Sequence, residues 1–140
     1  MTIVIPGEPV GKQRPRVVRN GGVTRTYTPE KTASYENLVK LEYERQAHGE
    51  HYPSGTPVSM KITACFALNK GDSKRKRDYK LRGVIRPTKK PDIDNVIKVI
   101  ADALNGLAYD DDSQIVTAKV YKVFGETPSV TVTINEEGFI

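Results

Sequence analysis

The chain has a single cysteine and no tryptophan in 140 residues. One thiol cannot build a disulfide framework or a thiolate zinc site, and Cys65 lies in the apolar run 62–68, where it reads as a small buried hydrophobe. No stretch approaches eighteen consecutive apolar residues, so a membrane-spanning helix is excluded. The first residues lack the basic start and long apolar run of a secretion signal, and a cytoplasmic location is expected. There is no glycine-rich phosphate loop, so no nucleotide cofactor is expected. Histidines are equally scarce: His48 and His51 sit in a turn bounded by glycine and proline and read as exposed residues.

Acidic charge is also in short supply, and its distribution matters more than the net value of +5. Lys12, Arg14, Arg16, Arg19 and Arg25 occupy one segment without an acid among them. Between positions 69 and 90 lie ten lysines or arginines against only Asp72 and Asp78. The acids gather elsewhere, in 30–50 and above all in 92–112. Such segregation describes a positive surface for a polyanion beside a separate negative focus.

The length suits one domain with one core, and no repeat or linker divides it. Residues 2–5 alternate like a strand. The glycines and prolines of 8–27 predict a loop, with a short hairpin around Asn20-Gly21-Gly22. A helix follows, with Thr28 as N-cap, Pro29 in the first helical position and an end near Gly49. It buries Tyr35, Leu38 and Val39. Residues 57–68 read as a strand that places Val58, Met60, Ile62, Ala64 and Phe66 on one face. The run 70–90 reads as a long mobile loop, held open by its own charge. A second helix spans 93–105 and stops at Gly106. Strands at 115–124 and 129–135 are expected to form a hairpin. The sum is a single compact α+β domain, with a mixed sheet of four to five strands and two main helices.

The chemistry is concentrated in 92–114. On a helix, Ile93, Val96, Ile97, Ile100 and Leu104 form an apolar stripe, leaving Asp94, Lys98, Ala101, Asp102 and Asn105 opposite. Asp92 precedes the helix, and Asp110, Asp111 and Asp112 follow its turn at Gly106. Singly, each acid has an ordinary reading: Asp92 as a cap, Asp94 paired with Lys98, Asp102 solvated, the aspartate triplet as a polar turn. Together, carboxylates crowded within a few ångströms repel one another and raise their pKa values, so keeping them ionised requires a cation. Oxygen donors without thiolates suit Mg²⁺, or Mn²⁺ in its place, and the spacing is not that of an EF-hand. Such a cation beside dense lysine and arginine fits phosphodiester hydrolysis, with Lys98 placed to steady the phosphate or orient water.

Asp92-Ile-Asp94-Asn95, Lys98, Asp102-Ala-Leu and Asp111-Asp112-Ser-Gln114 resemble the signature of RusA-like Holliday junction resolvases, common in bacteria and their prophages. The opening Pro6-Gly-Glu-Pro-Val-Gly-Lys12-Gln-Arg14-Pro15-Arg16 is similar to that family's first strand and Lys/Arg-Pro-Arg turn, and Tyr27-Thr-Pro to the lead into its first helix. The resemblance implies metal-binding aspartates at Asp92, Asp94 and Asp112, with Asp111 as the alternative for the third, and a catalytic lysine at Lys98. It implies a homodimer that cuts a four-way DNA junction in recombination and repair, since two-fold symmetry matches that of the substrate. Expected DNA contacts are Lys12, Arg14, Arg16, Lys74, Arg75, Lys76, Arg77, Lys89 and Lys90. Competing readings are a nuclease for flaps or forks, a non-catalytic DNA-binding module, and an interaction protein whose acidic patch recruits a basic partner.

Overall fold

The computed structural model describes residues 1–27 and 29–138. In chain order it contains β1 (Thr2–Pro6), β2 (Arg16–Asn20), β3 (Val23–Tyr27), α1 (Glu30–Gln46), β4 (Val58–Ala67), α2 (Lys74–Leu81), α3 (Ile93–Leu104), a short 3₁₀ turn (Asp112–Gln114), β5 (Ile115–Gly125) and β6 (Ser129–Glu136). The main sheet has four strands in the order β1-β6-β4-β5, all antiparallel except the β4/β5 pair. The α+β class and the four-stranded mixed sheet agree with the sequence reading. No helix among the described residues is long and apolar enough to cross a membrane.

Strand β4 organises the core. Val58, Met60, Ile62, Ala64 and Phe66 alternate along it and are all buried, as the period-two pattern predicts. They join Ile3 and Ile5 of β1 and Val130, Val132 and Ile134 of β6 beneath α1 and α3. Each such aliphatic side chain contributes about 1.5–3 kcal/mol on full burial. Helix α1 supplies Tyr35, Val39 and Tyr43, with Leu38 half-buried against the same cluster. Pro29 takes the cap position and Glu30 begins the helix, one residue later than expected; Thr28 lies outside the described residues. The helix closes at Gln46, before His48 (φ 52°) and Gly49 (φ 77°) turn the chain through left-handed conformations.

Three expectations need correction. Strands β5 and β6 are not a hairpin, because β4 lies between them. The link 126–128 lacks an Asn-Gly or Asp-Gly pair and instead crosses the end of β4, where Cys65 Sγ donates to the Thr127 carbonyl at 3.4 Å. Gly125 permits that crossing, since a Cβ there would lie 2.5 Å from Cys65 Sγ. The stretch 70–90 is not an open loop. Ser73 caps α2 by accepting from the Lys76 N–H, and Lys80 is buried against Asp72 (2.7 Å) and over the Phe124 ring (4.4 Å to its centre). A short third helix, α2, therefore joins the two main helices expected. Lastly, α3 buries Val96, Val99, Ile100, Ala103 and Leu104, a stripe rotated from the predicted one, and leaves Ile93 49% exposed.

Candidate active site

Helix α3 carries chemistry at both ends. At its start, Asp92 holds the N-cap position with extended backbone, yet its side chain makes no cap hydrogen bond. Asp94 follows in the first turn. Both line a cleft of about 650 Å³ between α3 and the loop 9–14, together with Arg14, Lys31 and Lys90. The loop lies this close because Gly11 has no side chain: a Cβ would meet Pro91 Cβ at 2.6 Å and Asn95 Cβ at 3.0 Å. The Lys12 N–H fixes the contact by donating to the Asn95 carbonyl at 2.8 Å.

Along the middle of α3 runs an ion-pair chain. Asp102 accepts from Lys98 at 3.1 Å and faces Lys12 at 3.3 Å, and Lys12 also donates to Glu36 of α1 at 2.5 Å. Burial works against the Lys12 charge, but the two carboxylates outweigh it and hold its pKa above the ordinary 10.5. Its ammonium is thus paired with carboxylates of both α1 and α3. Lys98 pairs with Asp102, not with Asp94, and remains 60% exposed.

At the far end, Gly106 (φ 80°) reverses the chain and a compact turn follows. The Tyr109 hydroxyl donates to the Ala101 carbonyl at 2.8 Å, and burial, then the charges of Asp112, Asp102 and Asp111, raise its pKa. Asp110 accepts from the Ser54 N–H and pairs with His51, which together hold it below the usual carboxylate range. Asp111 caps the 3₁₀ turn by accepting from the Ser113 N–H, and its pKa is lowered through Ser113. Gln114 ties the turn down: its amide oxygen accepts from the Asp110 and Asp111 N–H groups, and its nitrogen donates to the carbonyls of Tyr52, Pro53 and Thr56. The Asp112 N–H donates to Asn105 Oδ1 at 3.0 Å.

Among the six aspartates of 92–112, Asp102, Asp110 and Asp111 are engaged, whereas Asp92, Asp94 and Asp112 have no side-chain partner among the described residues. Their donor chemistry fits a hard cation. Among the described residues, no three histidine, cysteine, aspartate or glutamate side chains converge closely enough to hold a metal.

Residues 6–135 match the family described as Endodeoxyribonuclease RusA. The chain belongs to the RusA endodeoxyribonuclease family. It is 42% identical to YqaN of Bacillus subtilis (strain 168), an uncharacterized protein, over 93% of this chain and 92% of that one. It is 26% identical to the crossover junction endodeoxyribonuclease rusA of Lactococcus phage r1t, over 91% and 90% of the two chains. RusA membership makes the protein an endodeoxyribonuclease. Lys74, Arg75 and Lys76 are exposed on α2 with Arg77 half-buried, Arg16 is exposed on β2, and Lys89 and Lys90 are exposed before α3. Lys31, at the cleft wall, escaped the sequence reading because nothing local distinguishes it from a solvated first-turn lysine of α1. The clasp made by Gln114 was equally hidden, since its partners lie some sixty residues away.

Proposed function

We propose that this protein is a Mg²⁺-dependent resolvase of four-way DNA junctions, acting as a homodimer by paired symmetric phosphodiester cleavage in the cytoplasm of a bacterium or phage-infected cell. The observation that carries the reading is that Asp92, Asp94 and Asp112 are without side-chain partners among the described residues, when the neighbouring acids are all engaged. Unneutralised carboxylates set among exposed cations are what a cation-assisted phosphodiesterase requires. Mg²⁺, or Mn²⁺ in its place, would neutralise phosphate charge and activate water. Asp112 rather than Asp111 is assigned the third ligand role, because Asp111 is occupied as a cap.

The chain's own residues account for the rest. Lys98, exposed and steered by Asp102, is assigned to the charge that develops on the scissile phosphate. Arg14, Lys31 and Lys90 at the cleft would hold the flanking backbone. Arg16, Lys74, Arg75, Lys76, Arg77 and Lys89 extend the contact, giving salt-sensitive affinity with little choice of sequence. Lys12 serves instead as a strut between α1 and α3.

The test uses strand-labelled four-way junctions and matched linear duplexes, with Mg²⁺ or EDTA, for wild type and Asp94→Asn. Paired symmetric nicks confined to the junction, lost with EDTA and in the variant, are the expected result. Metal-dependent cutting of flaps or forks in preference would keep the chemistry and change the substrate. A junction bound but never cut under any metal would remove the catalytic reading.

A further inference from the structure

Lys12 is held in place by hydrogen bonds from its own backbone and from the next residue. Its own N–H donates to the Asn95 carbonyl of α3 at 2.8 Å, and the Gln13 N–H donates to Oγ1 of the buried Thr32 on α1 at 3.2 Å. Its ammonium then reaches Glu36 Oε1 at 2.5 Å and Asp102 Oδ2 at 3.3 Å, and the side chain is only 18% exposed. Lys12 thus grips α3 at two points, Asn95 and Asp102, which lie about 10 Å apart along the helix axis. Lys98 stands between them.

Asp102 is therefore shared. Its Oδ2 faces Lys12 while its Oδ1 accepts from Lys98 at 3.1 Å, so two ammoniums flank one carboxylate. Like charges on a common counterion repel each other, and each is held less tightly than it would be alone. The two lysines are not equivalent. Lys12 is enclosed and has Glu36 as a second partner, whereas Lys98 is 60% exposed and pairs with Asp102 alone among the described residues. The one that can leave is Lys98.

We propose that Lys12 is a positioning residue for Lys98: by occupying Oδ2 of Asp102 it fixes and half-neutralises that carboxylate, so that a single oxygen aims Lys98 and still lets it move to a phosphate. This rests on the nuclease reading above for the role of Lys98. Lys12 acts through Asp102 and does not touch the substrate. Without its ammonium, Asp102 is free to turn both oxygens to Lys98, and the unpaired Glu36 adds a second negative charge to the same cluster. An ammonium held that firmly is less able to meet the charge that develops on the phosphate. The bonds that fix Lys12 also join this cluster to the cleft, because Arg14, two residues further on, lines it beside Asp92 and Asp94.

The experiment compares wild type with Lys12→Met, Lys12→Arg and the double variant Lys12→Met/Glu36→Gln. Single-turnover cutting of a labelled four-way junction is read at saturating protein with Mg²⁺, and junction affinity is read separately in EDTA. Exchange of the Lys98 ammonium protons with water is read by NMR on protein labelled with ¹⁵N-lysine. Lys12→Met should cut about ten- to a hundredfold more slowly while binding the junction within about twofold of wild type, the pattern of an interaction lost only in the transition state. Its Lys98 protons should exchange at least about threefold more slowly, because Asp102 now holds them with both oxygens. Lys12→Arg, which returns a cation to Asp102, should recover most of the rate. The double variant restores the charge balance but leaves Oδ2 unoccupied, and should stay slow. A Lys12→Met protein that cuts at the wild-type rate would overturn the proposal, and so would one that loses affinity alone, since Lys12 would then be a phosphate contact. A double variant as fast as wild type would reduce the role to net charge and overturn it as well. If wild type cuts no branched DNA, the nuclease reading falls, while slowed Lys98 exchange in Lys12→Met still upholds the hold of Lys12 on Lys98. Unchanged exchange overturns that hold whatever the activity.

Discussion

The two basic segments look alike in sequence and end up in different physical states. In 70–90, a charge-dense run folds because one acid is correctly placed. Asp72 precedes Lys80 by eight residues, α2 brings the two together at 2.7 Å, and both side chains are 4% exposed. The Lys80 stem and ammonium cover Phe124, while Arg86 reaches the Lys122 carbonyl, so the segment is fastened to β5. The arm formed by β2 and β3 has no acid at all. Its Gly21 and Gly22 take positive φ and turn the hairpin, yet all ten strand residues stay exposed on both faces. A two-stranded hairpin of this kind is marginal in water by itself. One segment has neutralised its key cation internally; the other leaves Arg16, Arg19 and Arg25 exposed.

The largest expected effect that separates them comes from Asp72→Ala. It leaves the Lys80 ammonium enclosed without a partner, so α2 should detach and the melting temperature should fall clearly. Amide exchange across 76–82 should accelerate by more than about tenfold, while exchange in the arm stays unchanged. Lys80→Met, which removes the charge and keeps the stem, should be milder. Equal losses from the two variants would mean that packing rather than the ion pair anchors α2.

Next in size is the triple replacement Arg16→Ala, Arg19→Ala and Arg25→Ala. Stability should hold within about 0.5 kcal/mol, because none of these side chains is buried. Junction affinity should drop, and the slope of log K against log salt should fall by about 2–3, close to one for each phosphate that an arginine no longer neutralises. Fluorescence anisotropy over a salt series reads this directly. An unchanged slope would show that the arm does not touch the backbone of DNA.

How much of this was legible follows from the range of the interactions. The β4 alternation and the α3 limits depend on neighbouring residues, and the sequence displays them. The Asn20-Gly21-Gly22 turn is local as well. By contrast, the place of β5 depends on β4 outcompeting β6 for its edge, which no turn residue announces. The α2 helix was hidden because its charge density reads as repulsion until Lys80 meets Asp72 and Phe124. At the site, residue type alone could not distinguish free from engaged aspartates, since Asp110 is occupied by Ser54 and His51, both more than fifty residues away.

Acid should separate the two segments more gently. Hydrogen bonding and charge from Lys80 lower the Asp72 pKa from its ordinary 3.8. A depressed carboxylate pKa contributes stability that is present above the ordinary value and is lost as pH falls through the depressed one. Helix α2 should therefore remain docked from neutral pH down to the ordinary carboxylate range, and loosen only below it. The arm, with no carboxylate of its own, should show no transition in the same interval. Amide chemical shifts followed on both segments test this, and α2 release well above pH 3.8 would contradict the sign.

The smallest effect belongs to Val18→Thr and Val23→Thr on the arm. These valines are 45% and 55% exposed, so exchanging a methyl for a hydroxyl should change stability by less than about 0.5 kcal/mol. The same replacement at Val132, 1% exposed in β6, buries a hydroxyl at a cost of about 1–3 kcal/mol. Thermal melts of the three variants give the contrast. If Val18→Thr is as costly as Val132→Thr, the arm is packed in solution against something other than its own hairpin. A loss that grows with protein concentration would assign that cover to a second copy.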